Sequence, residues 1–213
     1  MEKVNTKQEI LEAALDLFSV QGFEATAISQ IADAVGIRKA SLYSHFESKQ
    51  AILDALVKNI LEQYDQHSIF ARLNWDQSAN AEGKQVLMAD SAAQMVLEQI
   101  QYILHDPYIS KARKMLMIEQ FQNPELAKLL TKQNYTDVMR YFTGLMKQLM
   151  KQGVLAEDDP EIMAAQFCLP ISTWINLCDR EPDREAEVMQ LINRHMQQFF
   201  KVYQPKKESD SQR

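Results

Sequence analysis

A chain of 213 residues with 46% apolar side chains is long enough to bury one compact interior or two small modules sharing a core. Its formal charge of −6 excludes general affinity for nucleic acid, so any such contact must be confined to a local cationic face. Five Gly and six Pro fall at punctuation points, which favours long helices with short connections: an all-α fold of about nine helices.

The opening MEKVNTKQEI carries no apolar signal region, so a cytoplasmic protein is expected. A first helix is predicted from Thr6 to Gln21, with Ile10, Leu11, Ala14, Leu17 and Phe18 on one face and Thr6 and Glu9 in capping-box spacing. Gly22 ends it and Phe23 turns the chain inward. Thr26 is placed to cap a short second helix whose Ile28, Ile31, Ala32 and Val35 share a face, and Gly36 follows where a helix end needs positive φ. Ala32 is small where another helix must cross closely, and Ile37 and Leu42 are placed to pack back on it. Arg38, Lys39, Ala40, Ser41, Tyr43, Ser44 and His45 are left to the outer face of a third helix. Cations, hydroxyls and a ring are the groups that meet phosphates and base edges, so this is a candidate helix-turn-helix reading surface. Lys49 starts the next helix at its positive dipole end, a cost that a phosphate would relieve, and the Thr26 hydroxyl is a further candidate contact. Residues 1–50 hold more anions than cations, but 37–49 carry Arg38, Lys39 and Lys49 against Glu47 alone. A small positive face can therefore sit on an acidic body, giving specific, salt-sensitive binding.

The string GIRKASLYSHFESK, preceded by an amphipathic helix ending in QGFEATAISQIA, resembles the G-[VI]-S-[KRP]-[GA]-[TS]-[LIV]-Y-x-[HY]-F-x-[ST]-K signature of the TetR family of transcription factors. The motif covers about the first quarter of the chain, and the remainder is similar in length and helical content, with a CDREPDREAE stretch like helix-loop-helix segments of some bacterial members. At Arg38 the family usually carries Ser or Thr, so a cation replaces a capping hydroxyl. The resemblance implies a homodimer that binds a near-palindromic duplex operator through two recognition helices, about 34–36 Å or a multiple apart. It further implies repression relieved when a small molecule in the body tilts the fourth helix, which requires tighter binding of that molecule to the DNA-incompetent state.

The fourth helix is predicted from Ser48 past Tyr64, with Ile52, Leu53, Leu56, Ile60 and Leu61 inward and no breaker between the reading end and the body. Residues 71–85 lose periodicity and read as a polar connection. Helices resume over 86–104, 108–121 and 124–152; the last carries a Val138, Phe142, Leu145 and Leu149 stripe and stops at Gly153. After the acidic EDDP segment, a helix from Pro160 to Cys178 is apolar on nearly all sides, which predicts contact on more than one face. Its longest apolar stretch, FCLPISTWINLC, is interrupted by Pro170, Ser172, Thr173 and Asn176 and is too short to span a bilayer; Cys168 and Cys178 cannot pair within one straight helix and are expected as reduced thiols.

From Asp183 to Tyr203, Met189, Ile192, Met196, Phe199 and Tyr203 recur at helix-packing spacing, beside a second stripe of Val188, Leu191 and Val202. One stripe can serve the chain's own core and leave the other for a partner; the spacing does not choose between them. The first stripe, with Trp174, is the candidate dimer face, as half of a four-helix bundle that an aspartate at Phe199 would split. The expected organisation is a DNA-binding domain over 1–49, a ligand-binding and dimerisation domain over 50–203, and a polar tail over 204–213.

Many of the eleven methionines lie in the body and suit an adaptable apolar cavity. The family implies a small-molecule effector there, largely apolar, with Tyr102, Met117, Phe121, Phe142 and Trp174 as candidate lining residues. His67, His105 and His195 are scattered without metal-ligand spacing, and no phosphate loop, nucleophile elbow or evident carboxylate pair is present. Neither a metal, a cofactor nor an enzyme is expected. The competing class is a helical adaptor that keeps the fold without reading DNA.

Overall fold

The computed structural model describes residues 5–68, 70 and 89–206. The polar connection expected over 71–85 lies outside these residues, as does the tail from 207. Among the described residues every regular element is helical. No helix among the described residues is long and apolar enough to cross a membrane.

The helices group into two packing units, one formed by residues 1–68 with 105–131 and the other by 69–104 with 132–213. The boundary expected at 49/50 falls inside the first of these units, in which the fourth helix and a later helical pair pack with the first three. In the first unit α1 spans Thr6–Gln21, α2 Ile28–Val35, α3 Lys39–Tyr43 and α4 Lys49–His67; α6, Pro107–Glu119, and α7, Pro124–Thr131, return to them. Their shared core contains Ile10, Ala14, Leu15, Phe18, Ile31, Leu42, Ile52, Leu56, Met115 and Leu116, each no more than 2% exposed. The small Ala32 is buried where α2 meets its neighbours. α1 begins at Thr6 with Asn5 in the cap position and no side-chain cap bond, so the Thr6–Glu9 capping box is not formed.

Gly36 ends α2 in the left-handed region, φ 74°. Its N–H donates to Asp33 O at 3.1 Å and the Ile37 N–H reaches Ala32 O at 3.0 Å. Two crossed bonds of this kind satisfy the last carbonyls of a helix and reverse the chain within two residues. A Cβ at Gly36 would meet nothing within 4 Å, so only backbone strain opposes substitution. Gly36→Ala is expected to cost about 1–2 kcal/mol, read as a lower denaturation midpoint at unchanged slope.

In the second unit, α5 is Ala89–His105, whose last residue falls in the first unit, followed by α8, Asp137–Lys151, α9, Pro160–Arg180, and α10, Glu185–Val202. The single helix expected over 124–152 is instead α7 and α8 joined by a π turn at Lys132–Thr136. That turn sets Asp137, 1% exposed, where Lys132 Nζ lies 2.6 Å from one carboxylate oxygen and Arg140 Nη2 2.8 Å from the other. The paired cations offset the cost of placing a carboxylate out of water. The core of this unit is aromatic: Phe142, Phe167 and Phe199 meet in series, centroids 5.2 Å apart in a tilted pair and 5.0 Å apart edge to face. Burial pushes the Cys168 thiol up to about 12, so it stays uncharged at neutral pH, and Cys168 and Cys178 are both free.

In the last helix, half of the expected dimer seam lies in the chain's own core. Ile192, Met196 and Phe199 are 0, 2 and 5% exposed within the chain's own core, and Met189, Tyr203 and Trp174 are half-buried against it. The Tyr203 hydroxyl donates to Gln166 Oε1 at 2.6 Å, tying α10 to α9. Of the second stripe, Val188 is also fully buried and only Val202 is exposed. Each stripe thus has members in the chain's own core, so neither is left whole for a partner. On α9, Ile162 and Leu169 are 54 and 37% exposed and share an outward face with Gln166 and Thr173.

Candidate nucleic-acid interface

The recognition helix is held by two anchors. Leu42, 0% exposed, and Phe46, 6% exposed, enter the core of the first unit. Around them Arg38, Lys39, Ala40, Ser41, Tyr43, Ser44 and His45 are all exposed, so the structure gathers these candidates onto one face of α3 and its flanks. Tyr43 is 45% exposed, a ring available for contact rather than packing. Arg38 occupies the cap position in extended conformation without a side-chain cap bond, as its chemistry requires: a guanidinium has no acceptor for the helix amides. Its charge is therefore presented outward. Lys7, from the first turn of α1, sets its ammonium 5.2 Å from the Phe46 ring centroid and adds a cation beside the face. No sequence signal marked it, because the contact joins two distant helices.

Two candidates are placed differently. Thr26 is 1% exposed; its hydroxyl donates to Gly22 O at 2.7 Å and accepts from Gln21 Nε2 at 3.0 Å. The cap of α2 is instead Ala27, whose N–H donates to Gln30 Oε1 at 2.7 Å. Thr26 fastens the turn before α2 and offers no free hydroxyl to a phosphate. Lys49 points its ammonium back at the same turn, donating to Phe23 O at 2.6 Å, Thr26 O at 3.0 Å and Glu24 O at 3.3 Å. An ammonium has three hydrogens, and three carbonyls receive them. It also lies 4.2 Å from the Phe23 ring centroid. The unfavourable charge at the start of α4 is thus compensated internally, by carbonyl dipoles and a ring face rather than by a phosphate.

The remaining candidates divide between the units. Tyr102, Phe142 and Trp174 belong to the second, where Phe142 is 3% exposed in the core and Tyr102 and Trp174 are half-buried. Met117 and Phe121 belong to the first, Met117 packed against its core. Phe121 is 84% exposed in the turn between α6 and α7, which removes it from the lining of any enclosed cavity in this chain.

Comparison with known proteins agrees with this arrangement. Residues 10–56 match the family described as bacterial regulatory proteins, tetR family, and residues 93–205 match the AefR-like transcriptional repressor C-terminal domain. The Escherichia coli K12 regulator UidR is 24% identical over 189 residues, spanning 87% of this chain and 88% of UidR. IcaR of Staphylococcus aureus Newman, a negative transcriptional regulator of the biofilm operon icaADBC, is 46% identical over 52 residues, 24% of this chain and 28% of IcaR. Among solved structures, SmeT, the repressor of the Stenotrophomonas maltophilia multidrug efflux pump SmeDEF, is similar in its triclosan complex with a TM-score of 0.60 at 18% identity, over 94% of this chain and 92% of that one. On these matches this chain belongs to the TetR family and is a DNA-binding transcriptional regulator.

Proposed function

We propose that the chain is a ligand-responsive repressor that binds a near-palindromic operator as a homodimer and is released by a small, largely apolar molecule. The observation that carries the DNA half of this reading is the α3 face, where Arg38, Lys39, Ser41, Tyr43, Ser44 and His45 are exposed together while Leu42 and Phe46 fix the helix from behind. A short helix anchored on one side and polar on the other is the shape that enters a major groove. The acidic body keeps nonspecific attraction low, so affinity depends on two heads engaging two half-sites at once.

The outward face of α9 supports pairing. Ile162 and Leu169 lie two turns apart on it, and a second copy applied about a twofold axis would bury both. Effector binding is assigned to the second unit, whose aromatic core includes Phe142 with Tyr102 and Trp174 in the same unit. The SmeT complex with triclosan and the negative regulator IcaR are the relatives that favour an apolar effector and repression.

Selection of bound fragments from sheared genomic DNA tests the reading directly. A repressor enriches one recurring palindrome, whereas a helical adaptor enriches none. On the recovered fragment, Arg38→Ala and Lys39→Ala are each expected to cost about 1–3 kcal/mol of operator affinity in a gel-shift titration. Wild-type affinity in both variants would move the reading face away from the start of α3.

A further inference from the structure

The turn between α1 and α2 is held by side chains from two helices outside the helix-turn-helix. The Phe23 carbonyl accepts from Lys49 of α4, and the Phe23 N–H donates at 2.7 Å to Glu119 Oε1, 96 residues further along at the end of α6. Glu119 is 5% exposed. The Phe23 N–H supplies this buried carboxylate with a hydrogen-bond donor. The backbone is shaped to receive it. Gly22 takes φ 84°, and a Cβ at that position would lie 3.2 Å from Glu119 Oε1 and 3.2 Å from Ile118 Cγ2. Along the same pair of helices, Lys111 of α6 is ion-paired with Asp16 of α1, and Ala112, Met115 and Leu116 enter the core that holds Phe18, Ile31 and Leu42.

We infer that Glu119 is a positioning residue for DNA reading: through the Phe23 amide, α6 fixes the turn from which α2 and the recognition helix start. This rests on the DNA-binding reading above. Glu119 touches no base or phosphate, and its effect runs through Phe23 to the orientation of α2 and α3. α4 leaves the head at residue 68, and the chain re-enters it at residue 105, ahead of α6. Phe23 is where side chains from both of these helices meet.

The test uses the full chain, the operator fragment recovered by the wild type, fluorescence anisotropy across a salt series, and amide exchange over residues 22–27, at temperatures where circular dichroism shows each variant fully folded. Glu119→Gln keeps an acceptor oxygen and is expected to bind close to wild type. Glu119→Ala is expected to bind about tenfold more weakly, with an unchanged salt slope because no phosphate contact is lost, and with faster exchange at the Phe23 amide. If the alanine variant does not fold, Glu119→Asp, which withdraws the carboxylate by one carbon, should show the same weakening. An exposed Phe23 amide together with wild-type affinity would overturn the inference while leaving the DNA reading intact. Failure of the wild type to recover any recurring fragment would overturn both.

Discussion

Leu169→Asp is expected to yield a folded monomer that has lost about a hundredfold or more of its operator affinity, the advantage that two linked heads hold over one. Leu169 is 37% exposed on the outward face of α9, so an aspartate there is hydrated in the free chain and should shift stability by no more than about 0.5 kcal/mol. In the proposed pair the same aspartate would face its symmetry mate across an apolar contact beside Ile162, and two like charges out of water cannot be accommodated. Sedimentation equilibrium gives the mass and anisotropy the affinity. A dimer that persists, with full operator affinity, would place the interface on another face.

Phe199→Asp is expected to do something different, although the sequence pattern alone would assign it the same outcome. Phe199 is 5% exposed, with its ring centroid 5.0 Å from Phe167, 5.8 Å from Phe200 and 4.8 Å from Tyr203. Removing such a ring costs about 3–5 kcal/mol, and a carboxylate left among the remaining rings adds several more. That total is comparable with the whole stability of an ordinary domain, roughly 5–15 kcal/mol. The variant should therefore lose cooperative unfolding of the second unit and expose apolar surface, seen as an absent calorimetric transition, rather than sediment as a well-folded monomer. A folded, monomeric Phe199→Asp protein would restore the first stripe of α10 as the dimer seam.

The sequence by itself determined most of the helices and which residues of α3 are exposed. Periodic apolar residues marked α1, α2, α4 and α10, and Gly36 marked the turn, because each of these signals is local: a face recurring every three or four residues, or a backbone conformation only one residue type adopts readily. The exposed candidates Arg38, Lys39, Ala40, Ser41, Tyr43 and His45 were legible for the same reason, since Leu42 and Phe46 alone in that stretch are apolar at the inward spacing.

Tertiary structure decided how each polar group and each apolar stripe is used. Thr26 and Lys49 have the chemistry of phosphate contacts, yet their hydrogens go to Gly22 O in one case and to three carbonyls of the α1–α2 turn in the other. Glu119 has no local feature that sets it apart, and its partner is the Phe23 amide on the opposite side of the sequence. Most of both stripes of α10 lies in the chain's own core, with Val202 left exposed, while α9 presents Ile162 and Leu169. A helix's apolar arc records how much of it must be covered, but whether the cover comes from its own chain or from a second copy depends on which other helices arrive there, and spacing along one helix carries no information about that.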